Sequence, residues 1–254
     1  VILDSFRLDG KVALVTGAGR GLGRGIAMAL AEAGADVACL DRSGAPQTVA
    51  RIRALGRRAT GVAKDLLATD VAGLDALVGE VVDELGRIDI LVNNAGIIRR
   101  RPAIEFTEAD WDEVLQVNLK TVFFLSQAAA RRMLPLGGGR IVNIASMLSF
   151  QGGIRIPSYT AAKSGVAGIT RALANEWSSS GIAVNAIAPG YFATDNTQPL
   201  RDDPERSAAI LGRIPAGRWG TPEDLMGAAV WLASDASAYV HGAVIPVDGG
   251  WLTR

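Results

Sequence analysis

Tyr159 and Lys163 stand four apart, the spacing that places two side chains on one face of a helix, and Ser146 lies thirteen residues before Tyr159. These residue types suit carbonyl chemistry. A phenol is a poor base near neutral pH, but a neighbouring ammonium favours its phenolate, and a serine hydroxyl can hold the carbonyl or alkoxide that shares its proton. Tyr and Lys also share amphipathic helix faces for packing alone, so the reading depends on the elements that position the three residues.

Those elements alternate along the chain. The short apolar run 12–15 reads as a strand buried on both faces, and it ends in Thr16-Gly17-Ala18-Gly19-Arg20-Gly21-Leu22-Gly23. Apolar Ile26, Ala27, Leu30 and Ala31 follow at helical spacing. Strand, glycine turn and helix start together make a phosphate site, because positions without side chains let the backbone approach a pyrophosphate and the first helical N–H groups meet its charge. The order Gly-x-x-x-Gly-x-Gly, from Gly17 through Gly21 to Gly23, departs from the six-residue dinucleotide fingerprint. A second apolar run, 37–40, ends in Asp41, whose carboxylate can accept both ribose hydroxyls of an adenosine and repels a 2′-phosphate. This predicts NAD in preference to NADP, with Arg20 and Arg42 as the side chains that oppose the preference.

Helical stretches near 45–55 and 70–85 then alternate with apolar runs at 59–62 and 88–92. That rhythm predicts an α/β fold: a doubly wound, Rossmann-like parallel sheet of about seven strands with helices on both faces, in a single domain over 1–254. Ligands of such sheets sit at the carboxyl ends of the strands. The third run should there present Asp65 and Leu66 to an adenine edge, and the fourth Asn93, Ala95 and Gly96 to the cofactor. One long helix is expected over 107–133, with a capped start at Thr107; Asn118 inside it is an amide on an apolar face that needs a hydrogen-bonding partner. After three glycines at 137–139, the run 140–144 leads to Ser146, and the Tyr159 helix continues through Ile169, Leu173 and Trp177. A sixth run, 184–188, ends in Pro189-Gly190. Residues 191–220 beyond it are rich in Arg, Asp and Pro, with a short helix at 203–211, and are expected to form a substrate lid. A last helix, 222–233, and a last strand, 243–247, complete the alternation.

Composition narrows the function classes. The 26 basic and 26 acidic side chains cancel, which argues against a nucleic-acid surface or a polybasic membrane patch. One cysteine, Cys39, and one histidine, His241, leave no internal disulfide and no expected metal site. No apolar stretch has the length of a membrane span and the first residues do not read as a signal peptide, so the expected setting is cytoplasmic.

Taken together, TGAGRGLG at 16–23, Asp41, Asp65, NNAG at 93–96, Asn118, Ser146, YTAAK at 159–163, and Pro189-Gly190 followed by Thr194 resemble the short-chain dehydrogenase/reductase family along almost the whole chain. The resemblance implies a nicotinamide-dependent dehydrogenase in which Tyr159 is the general acid/base, Lys163 lowers its pKa and binds the nicotinamide ribose, and Ser146 holds the substrate oxygen. It also implies that Asn118 positions a water linking the lysine to a proton relay, and that Thr194 and the backbone near Phe192 hold the carboxamide. Gly19, Arg20, Leu22, Pro189 and Gly190 join the residues above as implied cofactor contacts.

The stretches NNAGIIRR at 93–100, SMLSFQGGIRIPSYTAAKSG at 146–165 and IAPGYFATDNTQ at 187–198 look like those of family members that act on small deoxy sugar acids. This implies an anionic substrate, with Arg100 and Arg155 as candidates for its carboxylate and Gln151 for its hydroxyls. Members acting on gluconate or on acyl chains of a carrier protein share the catalytic set, although Asp41 speaks against the NADPH-using latter. A non-catalytic NAD-sensing protein of this fold would be expected to have lost Tyr159 or Lys163. The resemblance further implies pairing of the 107–133 and 157–178 helices across a twofold, giving a homodimer or homotetramer.

Overall fold

The apolar runs become seven strands in a computed structural model that describes residues 1–254: β1 (Val12–Thr16), β2 (Asp36–Asp41), β3 (Ala59–Ala63), β4 (Ile90–Asn93), β5 (Gly139–Ile144), β6 (Ile182–Pro189) and β7 (Val244–Val247). Every neighbouring pair is parallel, in the order β3-β2-β1-β4-β5-β6-β7. Between and after them lie α1 (Gly21–Glu32), α2 (Pro46–Ala54), α3 (Val71–Leu85), α4 (Glu108–Leu115), α5 (Thr121–Met133), α6 (Pro157–Trp177), α7 (Gln198–Arg201), α8 (Pro204–Arg213) and α9 (Pro222–Ala233).

Strand residues alternate between two helical layers. In β1, Ala13 and Val15 join Ile26, Leu30, Ile52 and Leu225 of α1, α2 and α9, while Val12 and Leu14 join Leu77, Val81, Leu125 and Leu173 of α3, α5 and α6. Both faces are therefore covered, which explains why the strands read as continuous apolar runs rather than alternating ones. Fully burying a leucine or isoleucine contributes about 1.5–3 kcal/mol over leaving it exposed. The result is the expected single-domain, doubly wound α/β fold. No helix is long and apolar enough to cross a membrane.

The helix expected over 107–133 differs in one respect. Thr107 caps its start by accepting from the Asp110 N–H at 3.1 Å, but α4 and α5 are joined by a π-helical segment, Gln116–Lys120. The Thr121 hydroxyl donates to the Gln116 carbonyl at 2.8 Å, five residues back, and so satisfies an acceptor in the widened turn. Such π turns are frequent at functional sites, and this one carries Asn118.

Sheet order reverses at β1 and β4. From β1 the chain winds outward through β2 and β3, and from β4 it winds the other way through β5, β6 and β7. The crevice beyond the carboxyl ends of β1 and β4 is the topological switch point where open α/β sheets bind ligands.

Candidate active site

That crevice opens into a cavity of about 970 Å³ whose wall includes the glycine turn, Asp41, Asp65, Leu66, Ala95, Gly96, Ser146, Tyr159, Lys163, Pro189, Gly190, Phe192 and Thr194. Its floor is tied together by Thr16. The Thr16 hydroxyl oxygen accepts from the Asn94 and Ala95 N–H groups, each at 2.9 Å, and the Asn94 Nδ2 donates to the Thr16 carbonyl at 2.9 Å.

The residues present fit a dinucleotide. A Cβ on Gly23 would lie 2.1 Å from the Gly17 carbonyl oxygen, so only glycine lets α1 start this close to the β1 turn. A Cβ on Gly19 would stand 2.8 Å from the Asp41 carboxylate, which sets that carboxylate beside the turn where an adenosine ribose would rest. No side chain caps the start of α1, which leaves its first N–H groups for a pyrophosphate. Arg24 reinforces the turn by donating twice to the Gly19 carbonyl. The Asp41 Oδ1 accepts from the Ser43 N–H at 3.3 Å and the Ser43 hydroxyl at 3.2 Å, and the Asp65 Oδ1 accepts from the Leu67 N–H at 3.0 Å. Arg20 reaches across the opening to Asp195, Nη1 to Oδ2 at 2.8 Å, and exposed Arg42 forms part of the wall beside Asp41.

At the inner end, three elements bring the chemistry together. Ser146 follows β5 and starts a short 3₁₀ turn by accepting from the Leu148 N–H at 3.1 Å. Pro157 at the first turn of α6 starts the helix that presents Tyr159 and Lys163. Lys163 is buried, with Nζ donating to the Ile144 carbonyl at 2.5 Å and lying 5.6 Å from the Tyr159 ring centroid. An ammonium carries three donors, so two remain for the cavity. Burial lowers the Lys163 pKa to about 8, which keeps it mostly cationic at neutral pH. Burial raises the Tyr159 phenol above its ordinary value, while the Ser146 hydroxyl and the charge of Arg100 pull it back down.

Two asparagines stand behind this wall rather than on it. Asn118 is fully buried and clamps Ile97, its Oδ1 accepting from the N–H and its Nδ2 donating to the carbonyl, both at 2.8 Å. This is the partner that an amide on an apolar helix face requires. Asn93 is not brought to the cavity. Strand alternation turns it inward, where its Nδ2 donates to Ser126 Oγ at 3.0 Å and Asn143 Oδ1 at 2.9 Å, and the next residue, Asn94, takes the cavity position instead.

The candidates for substrate contact separate in the same way. Arg99 and Arg101 are neutralised by α4, Arg99 pairing with Glu113 at 2.5 Å and Arg101 with Asp110 at 3.1 Å. Arg100 instead donates to the Asn196 carbonyl at 3.1 Å and acts on the Tyr159 phenol. Gln151 accepts from Arg213 at 3.2 Å. Arg155 is exposed, in a left-handed backbone conformation with φ 65°, and its contact is a carbonyl that accepts from the Arg101 N–H; like Arg100 and Gln151 it is not part of the cavity wall, to which Arg99 does contribute. Sequence reasoning missed Tyr191, whose ring lies 4.7 Å from Trp251 and 5.4 Å from Trp219, and it missed Arg213, stacked 4.0 Å over Trp251. An aromatic directly after Pro189-Gly190 was a readable signal for the first. No spacing announces the second.

A family profile described as enoyl-(acyl carrier protein) reductase matches residues 17–252. A 2-dehydro-3-deoxy-D-gluconate 5-dehydrogenase of Escherichia coli is 59% identical over 255 residues, covering 100% of both chains. The chain is a member of the short-chain dehydrogenase/reductase family. Within the family, a gluconate 5-dehydrogenase of Gluconobacter oxydans is 44% identical over 250 residues, covering 97% of this chain and 96% of its own. A solved structure from Agrobacterium tumefaciens, provisionally assigned as a 2-deoxy-D-gluconate 3-dehydrogenase and holding NADP, is 56% identical with a TM-score of 0.91, over 98% of this chain and 99% of its own. As a short-chain dehydrogenase/reductase, this protein is an oxidoreductase of CH–OH groups that uses a nicotinamide cofactor.

Proposed function

We propose that this short-chain dehydrogenase interconverts a secondary alcohol and a ketone on a small deoxy sugar acid, acting at C5 of 2-dehydro-3-deoxy-D-gluconate. The observation that carries the reading is end-to-end 59% identity to the E. coli enzyme of that activity, combined with a buried Lys163 beside Tyr159 and Ser146 on one cavity wall. When bound, the nicotinamide supplies the hydride acceptor or donor and, oxidised, a positive charge. Tyr159 takes the carbinol proton onto its phenol oxygen in oxidation and returns it in reduction. Ser146 holds the substrate oxygen through the change from alcohol to ketone. Lys163 offers its two remaining donors to the nicotinamide ribose, and its charge favours the phenolate. Asn118 acts through Ile97, fixing the wall beside Gly96. Residues 191–220 form the substrate lid within a single domain over 1–254. The chain works as a homodimer or homotetramer in the cytoplasm.

The cofactor is NAD on this reading, because the Asp41 carboxylate stands beside the Gly19 turn where a 2′-phosphate would meet it. A second reading, NADP, is favoured by Arg42 on the same wall and by the NADP held in the A. tumefaciens relative. Steady-state turnover of 2-dehydro-3-deoxy-D-gluconate and D-gluconate with each cofactor, followed by nicotinamide absorbance, tests all of these points. Turnover should be confined to the deoxy sugar acid, favour NAD, and fall by ~10²–10⁴-fold in Tyr159→Phe while cofactor binding is kept. Preferred oxidation of D-gluconate would overturn the substrate, and a higher kcat/KM with NADP would overturn the cofactor.

A further inference from the structure

We propose that Arg206 and Arg213 of α8, grouped with Arg100 about Tyr191, form the subsite that receives the carboxylate of a short polyhydroxy acid; this rests on the sugar-acid reading above. Charge economy is the first argument. In a chain with 26 basic and 26 acidic groups, Arg99 and Arg101 are matched to carboxylates of α4, whereas Arg100 donates to a backbone carbonyl, Arg213 to an amide oxygen, and Arg206 has no carboxylate partner. Unpaired guanidinium groups held near one another repel, and an anion relieves that repulsion through charge-assisted hydrogen bonds.

Geometry supplies the second. Arg206, Ile210 and Arg213 fall at i, i+4 and i+7, so they form one stripe of α8. Ile210 in the middle of the stripe is buried against Met147, Leu148 and Trp251, which turns the stripe toward the segment that begins at Ser146. Tyr159 and Tyr191 pack on the same cluster. Arg213 is held in place, its guanidinium 4.0 Å over Trp251 and one nitrogen bound to Gln151, with its other donors free. Burial raises the Tyr191 phenol above its ordinary value, while the charges of Arg206, Arg213 and Arg100 each lower it, which puts all three within electrostatic reach of this ring beside the Ser146 segment.

The test compares KM for 2-dehydro-3-deoxy-D-gluconate with KM for its uncharged methyl ester, at saturating NAD, in wild type and in Arg206→Gln, Arg213→Gln and the two lysine variants. The glutamine variants should raise KM for the acid about tenfold or more with kcat within about threefold, leave KM for the ester within about twofold, and show partial recovery with lysine. If acid and ester KM rise together, the arginines hold α8 in place and the subsite is overturned. An unchanged KM for the acid overturns it equally. Should a glutamine variant fail to fold, its lysine variant decides: the acid-to-ester KM ratio must rise by about two- to fivefold over wild type, and an unchanged ratio overturns the subsite. Wild-type enzyme that turns over neither acid nor ester defeats the sugar-acid reading itself, whereas wild-type turnover with indifferent variants defeats only the subsite.

Discussion

Single residues carry the chemistry through burial. Lys163 releases its proton near pH 8 in the folded chain, because burial disfavours the ammonium, and near 10.5 when unfolded. Between those values the unfolded chain binds more protons, so stability relative to a Lys163→Met variant should rise as pH rises through this window. Urea unfolding of both proteins at about pH 7.5 and about pH 9.5 measures it, and a wild-type-minus-variant stability that falls as pH rises would contradict the assignment. Residue types and local spacing made this part legible: the i, i+4 pair and an upstream serine need only one helix and one strand end to meet. Arg213 was not legible, because its partner Gln151 lies 62 residues away and only the fold brings them together. Asn93 and Asn94 show an intermediate case, in which the motif was readable but the phase of β4 decided which amide faces the cavity.

At the scale of elements, the π segment between α4 and α5 sets the position of Asn118. Periodicity read this region as one continuous helix, since a single widened turn leaves the apolar pattern on either side intact. Asn118→Leu removes both bonds to Ile97 and leaves its N–H and carbonyl without those partners, at about 1–3 kcal/mol for each unsatisfied group. The variant should therefore unfold at lower urea and, with the Gly96–Ile97 wall loosened, bind cofactor more weakly by fluorescence titration. Unchanged cofactor affinity in a destabilised variant would limit Asn118 to packing. The glycine turn was legible for a different reason: a Cβ at Gly23 has no space, so the residue type itself reports the close approach.

Over the whole molecule, the doubly wound parallel sheet of about seven strands was legible from the repeating βα alternation, while the contacts that close the cavity from outside were not. Arg20 and Asp195 are 175 residues apart and both exposed, so their pair should add no more than about 1 kcal/mol to stability. Asp195→Ala is expected to leave urea unfolding unchanged and to speed cofactor release in stopped-flow measurements; unaltered release would show that the pair does not restrain the opening. The Thr16 tie across the β1–β4 junction has a consequence in time. Its partner Asn94 lies 78 residues downstream, and β2 and β3 intervene in the chain while pairing on the other side of β1. Such a distant contact forms only after a large loop has closed, which makes it a slow step. During synthesis, the glycine turn therefore emerges long before the floor of its crevice exists, and the whole cofactor site is complete only after β4 and the later strands have docked.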